Sequence, residues 1–382
     1  MPSPLDPGAL LDRVRRDAER SVLRARNGLK HLAGIGRPEM TPTRRETVWS
    51  RDKVELWRYE TPAKDGGTRH LRPPLLLVHS LVSRSYVFDL APGNSVVEFL
   101  TNRGFDVFLV DWGVPDELEA LNTLETYTDG YLPDAVEAVR RIAGADEVNL
   151  FGYCMGGVLS LLYLAGHPAD PIRSLAVLAT PVDFNHMGPF TSLLQDGRVT
   201  PDTLIDGTGN VPADVMLNSF RILQPTADVT GYVNLWQNLW DDDYVAAHQI
   251  MTQWSRDHIP FPGACFRQVT DLLMQQNLLR TGRVPLGGRT VSLADITVPF
   301  LNIVGERDHI VPPEANANLS QLVGSTDARD LLLPAGHVGL VVGRAAHGRH
   351  LPAMAEWLEA QSEDHSENLS ENLSENLSEE QR

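Results

Sequence analysis

A cysteine on a glycine-rich turn is the residue in this sequence best suited to covalent chemistry. Cys154 is the central residue of the run Gly-Tyr-Cys-Met-Gly at 152–156, with an apolar strand pattern at 148–151 before it and an apolar helical pattern after it. A G-x-nucleophile-x-G run between a strand and a helix holds the nucleophile on a strained turn. The glycines are needed because the two backbones come very close. We predict that Cys154 is a nucleophile; the alternative is a structural cysteine beside a tight turn.

Two further residues follow later strands in the order that such a nucleophile requires, first an acid and then a histidine. Asp308 follows the apolar pattern at 300–304, and His337 follows the pattern at 330–333. In these positions Asp308 would orient the imidazole, and His337 would take the proton from the thiol. The simpler alternatives are a turn or capping role for Asp308 and a loop position for His337.

The attack of a thiolate on a carbonyl also requires two backbone N–H donors for the oxyanion. One donor is expected from Met155, the residue after the nucleophile, and the other from residues 80–83, which follow the strand pattern at 75–79. Because a thiolate exchanges readily with a thioester, cysteine in the nucleophile position favours acyl transfer from a thioester over simple ester hydrolysis.

Other histidines fit the site less well. His309 directly follows Asp308 and is expected to shape that loop, and His79, at the end of a strand, is a weaker candidate. His347 and His350 lie in a polar stretch before the last helix, so we expect them to be solvated.

The elements that must position these residues alternate along the chain between strands and helices. Strands are predicted at 54–59, 75–79, 107–112, 148–152, 175–179, 300–304 and 330–333, and helices at 94–103, 129–142, 155–166 and 312–322, with a last helix ending near 359. Short, continuously apolar strands between helices predict a mostly parallel sheet covered on both faces. With the turn at Cys154, this pattern predicts the α/β-hydrolase fold, in the α/β class.

The pattern breaks over residues 184–288, where many α/β hydrolases carry a helical cap or lid. We therefore predict a core formed by 46–183 and 289–361, with 184–288 as the cap. The aromatic residues Trp236, Trp240 and Phe261 of the cap could line an acyl or polymer channel or could simply pack in its core.

The two ends of the chain have opposite charge. Residues 1–45 contain a basic amphipathic helix, with apolar residues at spacings of three and four and arginines between them. This helix either packs on the main domain with its arginines reaching water, or contacts a partner protein or an amphiphilic surface. Residues 362–382 repeat Ser-Glu-Asn-Leu and are predicted to be an acidic, low-complexity, disordered tail.

Composition excludes some classes of function. The net charge of −17 over 382 residues argues against nucleic-acid binding. The two cysteines form neither a disulfide framework nor a metal-ligand spacing, so no metal site and a reducing, cytoplasmic location are expected. The sequence shows no signal-peptide pattern and no apolar stretch long enough to span a bilayer.

Several segments together resemble the polyhydroxyalkanoate synthases. They are 75–78, 86–90, 106–113, 152–157, 180–184, 308–312 and 336–339, while 262–268 resembles the cap of the short, class III type. The resemblance extends over 75–357. It implies an acyltransferase that polymerises (R)-3-hydroxyacyl-CoA into a polyester and releases CoA. Cys154 would carry the growing chain as a thioester, His337 would activate Cys154, and Asp308 would support His337 or help deprotonate the 3-hydroxyl group of the incoming unit.

The resemblance carries further expectations. By its place in the family's loop, Val82 would be the second oxyanion donor. CoA enters as part of the substrate, so no cofactor is expected. An assembly that is at least a homodimer, a second, non-catalytic synthase subunit and a location at the polymer granule surface are also implied. Met155 stands where the family commonly has Gln, which alters the pocket but not a backbone donor, and the acidic tail is not a family feature.

Two other functions are compatible with the same residues. The first is a cysteine thioesterase or polyester depolymerase of the same fold, in which water accepts the acyl group. The second is a non-catalytic granule-binding or partner-binding protein that would use the basic amphipathic helix. The cap separates a synthase from a hydrolase, because a synthase must admit an acyl-CoA and keep water from the acyl-cysteine.

Overall fold

A large twisted sheet organises the computed structural model, which describes residues 7–33, 40–62, 71–223 and 227–364. Its longer strands, numbered here in chain order, are β1 Arg45–Arg51, β2 Val54–Tyr59, β3 Leu71–Val78, β4 Phe105–Asp111, β5 Val148–Tyr153, β6 Ile172–Leu178, β7 Phe300–Gly305 and β8 Ala328–Leu333. Strands β5 and β7 are largely apolar and are buried at every position, as expected for strands that are covered on both faces.

The strands lie in the order β1-β2-β4-β3-β5-β6-β7-β8. Strand β2 runs antiparallel to both β1 and β4, and every later neighbouring pair is parallel. The short strand Glu363–Asp364 adds antiparallel to the start of β3. The prediction of a mostly parallel central sheet is confirmed. Because parallel strands end at the same edge, the residues that follow β3, β5, β7 and β8 are brought together.

Helices cover both faces of this sheet. The α-helices are α1 Pro7–Ala33, α2 Val96–Asn102, α3 Leu132–Ala143, α4 Met155–Gly166, α5 Pro189–Gln195, α6 Pro201–Leu204, α7 Ala213–Leu223, α8 Ala227–Asn238, α9 Asp242–Arg256, α10 Gly263–Gln268, α11 Leu319–Leu322 and α12 Leu351–Ala360. Alternate residues of β3 enter different clusters: Leu76 and Val78 pack in one with α3 and α4, and Leu75 and Leu77 pack in the other with α2 and α12. The run of apolar residues at 75–78 therefore supplies both faces of the sheet with buried side chains.

The region predicted to be a cap contains helices α5–α10. A short strand pair, Asn210–Val211 with Phe261–Pro262, joins its two halves. It is followed by a hairpin of Arg283–Leu286 and Arg289–Ser292, which runs across the predicted boundary at 288.

The helix predicted at 312–322 is wrong as a continuous element. A 3₁₀ turn at Pro313–Asn316 is followed by Ala317 in an extended conformation and Asn318 with a φ of 67°, before α11 begins. Strand β1 was not predicted; most of its residues are exposed, and the apolar signal of a buried strand is therefore weak. Residues 365–382, most of the predicted tail, lie outside the described residues.

Helix α1 packs against the cap. The Asn27 amide donates to the carbonyl of Leu239 at 2.9 Å, and Arg26 forms an ion pair of 2.6 Å with Asp242. The side chains of Val22 and Leu29 are each 70% exposed, so this part of the predicted apolar face of the helix is not buried against the rest of the protein. Within the described ranges, no helix combines the length and the apolar character needed to cross a membrane.

Candidate active site

Cys154 lies on the turn that joins β5 to α4. Its φ of 55° and ψ of −121° place it in a conformation that a side chain rarely adopts, as expected for a strained nucleophile turn. The glycines around it have a steric cause. A Cβ on Gly156 would lie 2.2 Å from the carbonyl oxygen of Val78, and one on Gly157 would lie 1.9 Å from Oγ1 of Thr180. Helix α4 can therefore start directly against the sheet only with glycine at both positions.

His337 and Asp308 form a buried pair in the loops after β8 and β7. His337 Nδ1 lies 2.7 Å from Asp308 Oδ2, so the ring N–H donates to the carboxylate. The other oxygen, Asp308 Oδ1, accepts from the backbone N–H groups of Ile310 and Val311, each at 2.8 Å. The carboxylate is thus fixed on one side by its own loop and oriented towards the imidazole on the other.

The charge state of His337 is set by this surrounding. Burial lowers the pKa of the imidazole, but the charges of Asp308 and Cys154 and their hydrogen bonds raise it more, to about 10. His337 therefore holds a proton at neutral pH. A thiolate beside an imidazolium is the form in which a cysteine nucleophile attacks, so the pair is suited to keep Cys154 reactive.

Tyr153, the residue before the nucleophile, also holds His337 in place. Its ring centroid lies 5.0 Å from that of the imidazole, and its hydroxyl donates to the carbonyl of His337 at 3.3 Å. This contact could not be predicted from the sequence, because the turn pattern allows any residue before Cys154.

The two residues that are predicted to be oxyanion donors lie on different elements. Met155 is the first residue of α4, and Val82 lies in the segment that follows β3, here called loop 80–86. Val82 lines the same pocket as Cys154 and His337. The structure thus brings all five predicted site residues to one edge of the sheet.

This pocket has a volume of about 1350 Å³ and lies between that edge and the cap. The volume exceeds the range of about 300–1,000 Å³ common for small-molecule sites, so it is large enough for an extended substrate. Trp254 and Tyr232 line it from the cap. Among the described residues that line it, Trp236, Trp240 and Phe261 do not occur, so the interpretation of these three as channel-lining residues is wrong for this pocket.

Those three aromatic residues have other surroundings. Trp236 is 70% exposed on α8. Trp240 lies under the guanidinium of Arg20 in α1, at 4.3 Å from the ring centroid, and Phe261 packs on Phe266 with the ring centroids 5.6 Å apart.

The other histidines that were considered do not take part in the His337–Asp308 pair. His309 lines the pocket but is exposed, whereas His79 is fully buried, and burial lowers its pKa to about 4, so it is neutral at pH 7. The expectation that His347 and His350 are solvated is wrong. His350 is buried, with Nδ1 3.1 Å from the carbonyl oxygen of Gly339, and His347 is half-buried. Both pack where the last helix meets the core.

The second cysteine is far less accessible. Cys265 is fully buried in α10, and burial raises the pKa of its thiol, with a smaller contribution from the charge of Glu125. In the part of the chain that the structure describes, no group of His, Cys, Asp and Glu side chains could hold a metal ion.

Comparison with known proteins first establishes the class. A family model for the alpha/beta hydrolase fold matches residues 73–343. A crystal structure from Sulfolobus solfataricus, described as a candidate lipase, matches with a TM-score of 0.52 and 15% sequence identity, over 83% of this chain and 97% of that chain. That likeness shows the fold alone. The chain belongs to the α/β-hydrolase fold, as predicted.

Sequence relatives then define the particular family. The chain is 37% identical over 333 residues to the poly(3-hydroxyalkanoate) polymerase subunit PhaC of Allochromatium vinosum, covering 87% of this chain and 92% of that protein. It is 35% identical to the PhaC subunit of Thiocystis violacea, over 88% of this chain and 93% of that one. With PhaC of Haloferax mediterranei it shares 36% identity but spans only 65% of that longer protein. The chain belongs to the PhaC polymerase family, and the predicted resemblance is confirmed.

Proposed function

We propose that this chain transfers acyl groups from (R)-3-hydroxyacyl-CoA to a growing polyester and releases CoA, with Cys154 as the covalent carrier. One observation supports this most strongly. A cysteine on a strained strand-to-helix turn shares a large pocket with the buried His337–Asp308 pair, in a chain of the PhaC family. A hydrolase with a serine nucleophile would not have a cysteine such as Cys154 at this position.

In the first step the thiolate of Cys154 attacks the thioester carbonyl carbon. The carbon–sulfur bond to CoA then breaks, and His337 gives its proton to the departing sulfur. The backbone N–H groups of Val82 and Met155 donate to the oxyanion that forms between these events. Donors held by the fold can stabilise this charge without reorganisation during the reaction.

In the second step the 3-hydroxyl oxygen of another unit attacks the acyl-cysteine. His337 accepts the hydroxyl proton, the new ester bond forms, and Cys154 leaves as a thiolate. Asp308 orients the imidazole throughout. Both of its oxygens already accept hydrogen bonds, from His337 and from its own loop, which favours this orienting role over direct deprotonation of the hydroxyl group.

The family relationship also supports wider proposals about assembly, location and cofactors. The polymerase works as at least a homodimer, together with a second synthase subunit, and it acts at the surface of the polyester granule in the cytoplasm. No cofactor takes part, because the activated acyl group arrives with CoA.

A product assay tests the proposal. Purified protein is mixed with 3-hydroxybutyryl-CoA, with and without a candidate second subunit, and free CoA and insoluble polymer are followed together. We expect CoA release to match polymer formation. CoA with free 3-hydroxybutyrate would replace the proposal with a thioesterase. No CoA in either mixture would replace it with a non-catalytic binding protein.

A further inference from the structure

The cap reaches loop 80–86 through one carboxylate. Asp257 directly follows α9, and its two oxygens face two residues of the loop. Arg84 Nε lies 3.4 Å from Asp257 Oδ1, and the hydroxyl of Tyr86 donates to Asp257 Oδ2 at 2.9 Å. Burial and the charge of Asp257 raise the pKa of Tyr86, so its phenol stays protonated and remains a donor.

Backbone contacts reinforce the same junction. Ser83 pairs with His258 in an isolated antiparallel bridge, and the indole N–H of Trp254 donates to the carbonyl of Arg84 at 3.2 Å. The cap residues 254–258 thus contact three of the residues that follow Val82.

The sheet holds the same loop from the other side. The indole N–H of Trp112 donates to the carbonyl of His79 at 3.0 Å, and the hydroxyl of Ser85 bonds to the carboxylate of Asp111. Val82 therefore lies between a fixed strand end and a stretch that the cap fixes. Its own position depends on both attachments.

We infer that Asp257 is a positioning residue, which acts through Arg84 and Tyr86 to hold the Val82 N–H where the oxyanion develops. The inference rests on the proposed function, because it assigns a role in that acyl transfer. Its physical basis is the steep distance dependence of such a donor, which must lie about 2.7–3.1 Å from the oxyanion. The cap must therefore be seated on the loop for fast acylation.

The test compares two reactions of the same sulfur. Thioester acylation of Cys154 develops an oxyanion, whereas alkylation by iodoacetamide is a displacement at carbon that develops none. In Tyr86→Phe and Asp257→Asn we expect the single-turnover acylation rate with 3-hydroxybutyryl-CoA to fall by about tenfold to a hundredfold, part of the loss seen when an oxyanion donor is removed. The alkylation rate should stay unchanged. Mass spectrometry of the peptide that contains Cys154 follows both.

Tyr163→Phe is the matched control, because it removes a hydroxyl that donates to another carboxylate, that of Asp170, at 2.7 Å. We expect both rates to match the wild type in this variant. A parallel fall of acylation and alkylation in the Tyr86 and Asp257 variants, or no fall in acylation, would overturn the inference. If the thioester fails to acylate wild-type Cys154, the proposed function fails instead.

Discussion

Cys154 and Cys265 carry the same thiol, but the regions around them differ in backbone, burial and partners. Cys154 lies on a turn with positive φ at the edge of the sheet, beside an imidazole whose pKa is raised to about 10. Cys265 is enclosed in the apolar cluster between the cap and the core, where burial penalises the thiolate. This difference supports the proposal that Cys154, and not Cys265, is the nucleophile, because a neighbouring cation and an open pocket favour a reactive thiolate.

The largest effect is expected from removing each thiol in turn. Cys154→Ala should lower the rate of CoA release by about 10⁴-fold or more, as when the nucleophile of a catalytic triad is removed. Cys265→Ala should keep activity near that of the wild type and lower the free energy of unfolding by about 1–2 kcal/mol, because it leaves a small cavity in packed apolar surroundings. Steady-state CoA release measures the activity, and chemical denaturation measures the free energy of unfolding. Retained activity in Cys154→Ala would show that Cys154 is not the nucleophile, and would contradict the distinction between the two cysteines.

A smaller effect is expected when the orienting carboxylate loses its charge. Asp308→Asn keeps the size of the side chain but removes the anion that stabilises the imidazolium of His337. We expect kcat to fall by about 10²- to 10⁴-fold, with little change in KM. Asp330→Asn is the matched control, since Asp330 of β8 accepts hydrogen bonds from Asn302 of β7 and Ser320 of α11 and not from a residue of the site. Equal loss in both variants would argue that the Asp308 effect is structural.

The smallest effect is expected from a change of pH. It tests the charge of His337, the cation that lies beside Cys154 and has no counterpart beside Cys265. In the folded protein His337 should keep its proton until about pH 10, whereas His79 should lose its proton near pH 4. Because the folded pKa of His337 lies above its ordinary value of 6.5, its contribution to stability is complete below that pH and is lost as the pH rises through about 10. NMR titration of labelled histidines measures both values. An ordinary pKa for His337 would remove the reason for the reactivity of Cys154.

The features of the fold and the site that could be predicted are those that depend on residues close together in the sequence. The turn at Cys154 could be predicted because close backbone approach requires glycine on both sides of it, and the parallel sheet because its strands are short, largely apolar runs that alternate with helical patterns. Asp308 and His337 could be placed because in this fold the acid and then the histidine follow strands that come later in the chain than the nucleophile.

The parts that could not be predicted depend on contacts between distant residues. Asp257 and Arg84 are 173 positions apart, and no periodic pattern links a residue after a cap helix to a loop after β3. The burial of His350 in a polar stretch likewise depends on how the last helix packs, since its partner is a backbone carbonyl. The helix expected at 312–322 is interrupted at Ala317 and Asn318, because Ala317 is extended and Asn318 adopts a positive φ, which asparagine tolerates better than most residues.

In the proposed mechanism the sulfur of Cys154 carries the acyl group. The most direct test is to mix the protein with 3-hydroxybutyryl-CoA, quench in acid within the first turnover and analyse the peptides by mass spectrometry. We predict a 3-hydroxybutyryl thioester, or a short oligomer of it, on the peptide that contains Cys154, and an unmodified peptide around Cys265. Rapid release of CoA with no adduct on Cys154 at any quench time, or with the adduct on another residue, would contradict the account.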